Sequence, residues 1–597
     1  MMSTDFGNRM ITTPLDAAAQ DVFPRALPRL AGFLLLLILS GTALHAQENR
    51  FAEMDDQQFV DYLRALREGP VLAVQPGVRA PQFEDRCGFS LAVETARRMR
   101  TASPALAAEI RALRLAPRMQ VSILSPTGRF RVHYDTTGRH VPAMLDAALN
   151  RLPNTAREYA DSVAAIFDAV YQKEVIELGF DSPPLRPGDA EYQLYILEYN
   201  GSFYGETLFD NPLPNSGTVM PTYASYMQID NDYREFETQG IEALQVTAAH
   251  EFHHIVQLGT YGLWGSDTWF HEMTSTYFEE VCYPGINDYV QYIRDFVRDP
   301  ELSWYQWMPY KGYELVTWPL FLEKRYDPRV FRETWENMRR VEPVTATRDA
   351  IRDHQPVSGD FAADFCSWAA ANFFIGYRSE KAEQQPYADA ALFADMQITS
   401  SVELVAETAH LTGLVPPLGA HYLQVYRGVD TLSFVVANTD IAEAISRSAV
   451  RVEYDLEVRR SGYDDSFTRL SNGWAYKFTA AKENALCVSL LDGGSAAVVE
   501  RTAPFPNPFN PNEFSRMRFP VPRNIPVNRA DLYIYSVSMD LLRRDEGAAI
   551  ELDDESGAFV GWDGRGDDGD FLGSGVYIYT LRYSGGSITG KFAVVVR

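Results

Sequence analysis

The amino-acid sequence predicts a multidomain α+β protein in which a helix-rich α+β unit precedes all-β sandwich domains. The first ground is size: 597 residues exceed what one hydrophobic core holds, and usual domain sizes give roughly three to five units. The second is composition, since 46% hydrophobic and 13% aromatic residues are those of folded protein. The third is a change of period. Apolar residues recur at helical spacing through much of the chain and alternate after about Leu414.

Near the start, "RALPRLAGFLLLLILSGTALHAQ" sets Arg25 and Arg29 before an apolar run, followed by small residues and a cleavage point after Ala46. Residues 1–46 therefore read as a signal peptide, with an uncleaved membrane anchor as the alternative. The run is shorter than the roughly 20 residues of a spanning helix, and no later stretch is apolar enough, so the mature chain is expected to carry no transmembrane domain. The polar leader before Arg25 is long for a signal, which makes Met10 a candidate start.

Residues 47–120 form a helical, Ala- and Arg-rich region of pro-segment-like character, broken by "EGPVLAVQPGVRAP". Residues 121–385 form the α+β unit. "GRFRVHYD", "EYQLYILEY" and "YASYMQIDND" alternate like strands, and "TAREYADSVAAIFDAVYQKEVIEL" has a helical period. Residues 395–500 break into short β-like runs such as "TLSFVVA" and "VRVEYDLEVRR", as in a β-sandwich domain. Residues 501–597 open on "PFPNPFNP" and predict strands at 515–521, 532–537, 576–583 and 591–596.

The formal net charge of -26 is spread along the chain with arginines interleaved. That is an acidic solvating surface, and nucleic acid is not expected as a partner. Four cysteines, Cys87, Cys282, Cys366 and Cys487, form no CxxC pair; export permits disulfides, and three pairings stay open.

The chemistry concentrates in "VTAAHEFHHIVQ". With ten histidines in the chain, an H-E-x-x-H string arises by composition about once in 100 such sequences. On a helix His250 and His254 project about 40° apart, close enough for both imidazoles to reach one ion. Leu244, Ala248, Phe252, Ile255 and Val256 form an apolar stripe on the opposite side.

A catalytic zinc takes a third protein ligand and keeps one position open. "SDTWFHEMTSTYFEEV" reads as a second helix capped by Ser266 or Asp267, with Glu272, Thr276 and Glu279 on one stripe. Glu272 is the expected third ligand. Glu279 is the alternative ligand, or else it orients a ligand histidine from behind. His253 and His271 point elsewhere on their wheels, which gives them surface or substrate-contact roles.

His-Glu-x-x-His followed by Trp-x-x-Glu on the next helix resembles the gluzincin metallopeptidases, the thermolysin-like clan with a zincin-like fold. "VTAAHEFHHIVQ", "DTWFHEMTSTYFEE" and "YASYMQIDND" are similar to a family of secreted bacterial metalloproteases of myxobacterial type. The likeness spans about residues 87–379. It implies one catalytic Zn2+ on His250, His254 and Glu272, Glu251 as the general base, and a protein or peptide substrate gripped by the "SYMQID" edge strand. Gluzincins also supply an oxyanion donor from a later helix, for which Tyr313 and Tyr310 are candidates.

Cys87, in "DRCGF", brings a thiol into the pro-segment-like region, where a thiolate on zinc would block the water position until the segment leaves. This resembles the cysteine switch of matrix metalloproteinases without its proline-rich flanks. A disulfide or a buried thiol is the commoner fate of such a residue.

In the last unit, the Asn-Pro-Phe-Asn-Pro opening, "WDGR", "GVY" and the closing strand from Gly590 resemble the C-terminal immunoglobulin-like domains that direct proteins through the type IX secretion system, and the related flagellar hook-capping fold. The resemblance implies the type IX secretion machinery as partner and a secreted or outer-membrane location. Asp563, Asp567, Asp568 and Asp570 are spaced unlike an EF-hand, so Ca2+ has no support there beyond a solvated acidic hairpin. The rival expectation is a non-catalytic surface or adhesion protein with binding β-sandwiches. An intact Glu251 argues for the enzyme, because a scaffold needs no base; the motif leaves the acyl group undefined.

Overall fold

The computed structural model describes residues 50–68 and 86–596, apart from short stretches at 215–216, 307–311, 355–358, 383–385, 429, 471–472, 483, 493–494, 501–503, 505–507, 513, 522–528, 554–556 and 584–585. The signal region 1–46 and Tyr310 lie outside the described residues. No helix among the described residues is long and apolar enough to cross a membrane.

The chain is a mixture of helices and several sheets. Four N-terminal helices, α1 (Arg50–Glu53), α2 (Asp56–Glu68), α3 (Phe89–Met99) and α4 (Pro104–Leu113), gather Phe51, Phe59, Leu63, Leu91 and Ile110 into a small core with Tyr199 and Phe203. α4 begins where sequence chemistry says it should. Ser103 accepts from the Leu106 N–H and Pro104 fills the first turn, where a missing N–H costs nothing.

Next comes a five-stranded sheet, β1 (Val121–Leu124), β2 (Phe130–Tyr134), β3 (Tyr192–Leu197), β4 (Gly205–Pro212) and β5 (Tyr223–Asp230), in the order β1-β2-β3-β5-β4. β2, β3 and β5 run parallel, with helix α5 (Ala156–Tyr171) between β2 and β3, and β4 returns antiparallel as the outer strand. This corrects one expectation. The "SYMQID" strand is β5 and lies inside the sheet, buried along its whole length, whereas β4 holds the edge. A strand covered on both faces reads as a continuous apolar and aromatic run, so its own sequence does not reveal whether a further neighbour pairs with it.

Helix α6 (Gly240–Val256) follows β5 and carries the histidines; a wider π-helical turn at Gln257–Tyr261 leads on, and α7 (Thr268–Cys282) folds back beside it. Phe252 anchors α6 to the sheet. It is fully buried, with its ring 5.8 Å from Phe130 and 5.7 Å from Tyr171, which contributes about 1.5–3 kcal/mol from removal of apolar surface alone. The later helices α8 (Ile293–Arg298), α9 (Thr317–Arg325), α10 (Arg329–Met338), α11 (Pro343–His354) and α12 (Phe361–Ala371) extend the same core through Trp318, Trp335 and Trp368.

Two further pairs of sheets follow. Strands β6 (Ser400–Glu403) to β14 (Ser495–Glu500) form a five-stranded and a four-stranded sheet around Leu411, Phe434, Leu456 and Trp474. Strands β15 (Met517–Val521) to β21 (Gly586–Val594) form a three-stranded and a four-stranded sheet around Phe519, Leu532, Trp562 and Leu581. Cys366 of α12 is bonded to Cys487, which ties the helical region to the first of these sheet pairs; Cys87 and Cys282 carry free thiols. In the acidic hairpin, Asp563 and Asp568 accept the backbone N–H groups of Arg565 and Asp570, and Asp567 accepts that of Arg544.

Candidate metal centre

α6 and α7 lie side by side, and their facing stripes meet at His250, His254 and Glu272. His250 Nε2 and Glu272 Oε2 are 3.1 Å apart, His250 Nε2 and His254 Nε2 3.1 Å, and His254 Nε2 and Glu272 Oε2 3.4 Å. A tetrahedral ion with nitrogen and oxygen ligands at about 2.0–2.1 Å spaces those ligands about 3.3–3.4 Å from one another, so the donor set fits one.

The tautomers fit as well. Gln257 Nε2 donates to the His271 carbonyl oxygen, which can only accept; this fixes the amide, so Oε1 faces the histidines. His254 Nδ1–H therefore donates to Gln257 Oε1 at 2.9 Å, leaving the Nε2 lone pair inward. His250 Nδ1–H donates to Glu279 Oε1 at 2.7 Å, so that its Nε2, once free of a proton, also turns a lone pair inward. Two lone pairs and a carboxylate oxygen converging in a buried site form an electron-rich cluster that a cation neutralises.

The electrostatics of the bare site carry the same mark. Burial opposes charge on His250, but hydrogen bonds to Glu272 and Glu279 override it and raise its pKa to about 9. Burial likewise opposes charge on Glu272, yet His250 and His254 bring its pKa down to about 2. Glu279 holds His250 from behind and is not part of the converging set. Glu279→Gln is expected to lower the affinity for a metal ion by about 10–100-fold without removing a donor from the converging set, read by competition with a chromophoric chelator.

Glu251 is fully buried beside this cluster. Its Oε2 accepts from Thr207 Oγ1 of β4 at 2.7 Å, while Oε1 meets no nitrogen or oxygen donor. The close passage of β4 over the helix depends on Gly205, where a Cβ would lie 2.8 Å from Glu251 Cγ and 2.9 Å from Thr247 Cγ2. Tyr313 is buried with its ring stacked on His250, centroids 5.5 Å apart.

A fourth donor completes the group. The Cys87 Sγ lies with the His250, His254 and Glu272 donor atoms, all within 4.8 Å of one another and all buried. Burial pushes the Cys87 thiol well up, and the nearby Glu251 and Glu272 carboxylates push the same way. The sequence placed a thiol in the N-terminal region; the fold delivers it to the histidines.

His253 and His271 are not surface residues. Both are fully buried, His253 against Glu174 Oε2 at 2.8 Å and the Phe278 ring, His271 on Gln257 Oε1 at 2.8 Å. Burial drives His253 well below its usual value and His271 down to about 3, so both are neutral structural groups. Their wheel positions set them apart from the stripe of His250 and His254 but could not show that a third layer, with Glu174 and Trp335, covers that side of the helix. No family profile matches the chain, and no curated protein matches it.

Proposed function

We propose that this chain is a secreted or surface-held zinc metallopeptidase of zincin-like fold, cleaving peptide bonds in protein or peptide substrates with Glu251 as general base. The observation that carries the reading is the convergence of the His250, His254 and Glu272 donor atoms at tetrahedral spacing, with Glu251 buried beside them. When bound, zinc acidifies a coordinated water toward pH 7 and polarises the scissile carbonyl.

The protein's own groups supply the rest. Glu279 and Gln257 keep the Nδ1 protons in place, so that both Nε2 atoms stay available. Glu251, held by Thr207, takes the proton of the attacking water through its open oxygen and returns it to the leaving amine. β4, as the outer strand, offers backbone groups for an extended peptide to pair with. Tyr313 is the candidate donor to the developing oxyanion. Export and type IX sorting belong to the same proposal; they rest on the sequence resemblance, with which the paired sheets of β15 to β21 are compatible.

One observation favours a second reading. Cys87 extends the donor set to one cysteine, two histidines and one glutamate, and four protein ligands are the mark of a closed structural zinc site, as in a non-catalytic surface or adhesion protein. Zinc content and casein or gelatin hydrolysis, measured on the chain intact and after limited proteolysis, separate the two. The peptidase reading expects one zinc per chain and hydrolysis, in at least one form, that a chelator removes and added zinc restores. Bound zinc with no hydrolysis in either form favours the scaffold.

A further inference from the structure

The three residues around Cys87 are held against the site by contacts that none of the proposed chemistry requires. Cys87 pairs with Gly205 as a parallel bridge at the start of β4. The Gly88 N–H donates to the Gly205 carbonyl at 3.0 Å, and the Tyr204 N–H donates to the Arg86 carbonyl at 2.9 Å. The segment therefore lies as a short extra strand on the edge where an extended substrate would pair. Gly88 permits this approach, since a Cβ there would fall 2.4 Å from Glu206 Cγ.

The flanking side chains clamp the segment from both ends. Arg86, 4% exposed, places Nη1 2.7 Å from Glu279 Oε2 and 2.8 Å from Asp288 Oδ2, with its guanidinium over the Tyr204 ring. Glu279 is the same carboxylate that orients His250. Phe89 stacks on His254, ring centroids 4.2 Å apart and 7° from parallel. Between these anchors the thiol sits with the three proposed ligands and within electrostatic reach of Glu251. That is the side of the cluster where an attacking water would have to stand between ion and base.

Accepting the metallopeptidase reading, on which this rests, we propose that Arg86–Gly88 is an inhibitory strap: Cys87 supplies the fourth ligand of a latent zinc site, and the chain becomes active when the strap is lifted. As the sulfur coordinates, a metal–sulfur bond forms and the thiol proton leaves to solvent; as the strap lifts, that bond breaks, the sulfur is reprotonated and water gains the vacated position. A coordinated sulfur stands about 3.6 Å from the nitrogens, given metal–sulfur and metal–nitrogen distances of about 2.3 and 2.05 Å. The limit of 4.8 Å found here leaves only a small movement to seat it. The same segment would block both the water and the edge strand.

The test uses the full chain with cobalt in place of zinc, because a cobalt–thiolate bond gives a near-ultraviolet charge-transfer band that nitrogen and oxygen ligands do not. Wild type is expected to show the band. Cys87→Ser is expected to keep one metal per chain, lose the band and, as the zinc protein, gain an order of magnitude or more in hydrolysis as the competent fraction rises. Cobalt bound by wild type without the band overturns the strap alone. A band in wild type with no gain of activity in Cys87→Ser overturns latency, and loss of metal in a folded Cys87→Ser makes the cysteine a structural ligand and overturns it too. Failure of both proteins to bind any metal overturns the metallopeptidase reading itself. Should Cys87→Ser not fold, X-ray absorption of the wild-type zinc protein serves instead: one sulfur at about 2.3 Å in the shell of the ion is expected, and a shell without sulfur contradicts the strap.

Discussion

Glu251→Gln, assayed in the active form of the chain, is expected to lower kcat by about 10²–10⁴-fold while leaving one zinc bound. The glutamine amide is nearly isosteric, and its oxygen can still accept the Thr207 hydroxyl now 2.7 Å from Glu251 Oε2. Helix α6 and the passage of Gly205 over residue 251 need no adjustment. What disappears is the basic oxygen to which the proposed mechanism gives the proton of the attacking water. Because Glu251 lies outside the converging donor set, metal content separates loss of the base from loss of the ion. A variant that keeps its zinc and hydrolyses at the wild-type rate removes Glu251 from the chemistry.

Glu272→Ala is expected to have the larger structural effect, sharply weakening zinc binding and abolishing hydrolysis together. The carboxylate is the only charged donor of the three proposed ligands and the reason His250 and His254 can converge in a buried site. Without it the converging set among the described residues is reduced to the two Nε2 atoms, 3.1 Å apart, and the Cys87 sulfur. Addition of zinc should raise the Tm of wild type, since a ligand that binds the native state stabilises it by mass action, and should raise that of Glu272→Ala far less. Equal zinc-induced shifts in both proteins show that the ion is held elsewhere.

Much of this centre was legible in the sequence because three of its converging donors come from two consecutive helices. The i, i+4 spacing of His250 and His254 and the common stripe of Glu272 and Glu279 follow from helix geometry alone, and the structure sorts those two carboxylates by distance into the converging set and the position behind His250. The position of Cys87 was beyond that reasoning. It depends on a pairing between distant parts of the chain, Arg86–Gly88 against Tyr204 and Gly205, which no local period encodes.

The edge strand was misread for a related reason. "GETLFDNP" mixes acidic residues with proline and glycine and carries little strand alternation, while "YASYMQID" has the aromatic density of a strand; which one is outermost is a property of sheet order. In the last unit, "LLRRDEGAA" and "GAFVGW" form strands beyond the four that the sequence predicts; the side chains of the first are largely solvated and give no apolar alternation. The Cys366–Cys487 bridge joins residues 121 apart in sequence, and only the docking of α12 against β13 (Leu486–Asp492) selects it from three pairings.

X-ray absorption at the zinc edge, on the intact chain after equilibrium dialysis, tests the central claim most directly. One zinc per chain is predicted, with a first shell that contains two imidazoles and a carboxylate oxygen and loses an imidazole in His254→Ala. A chain that retains no zinc, or a shell of oxygens alone that His254→Ala leaves unchanged, contradicts it.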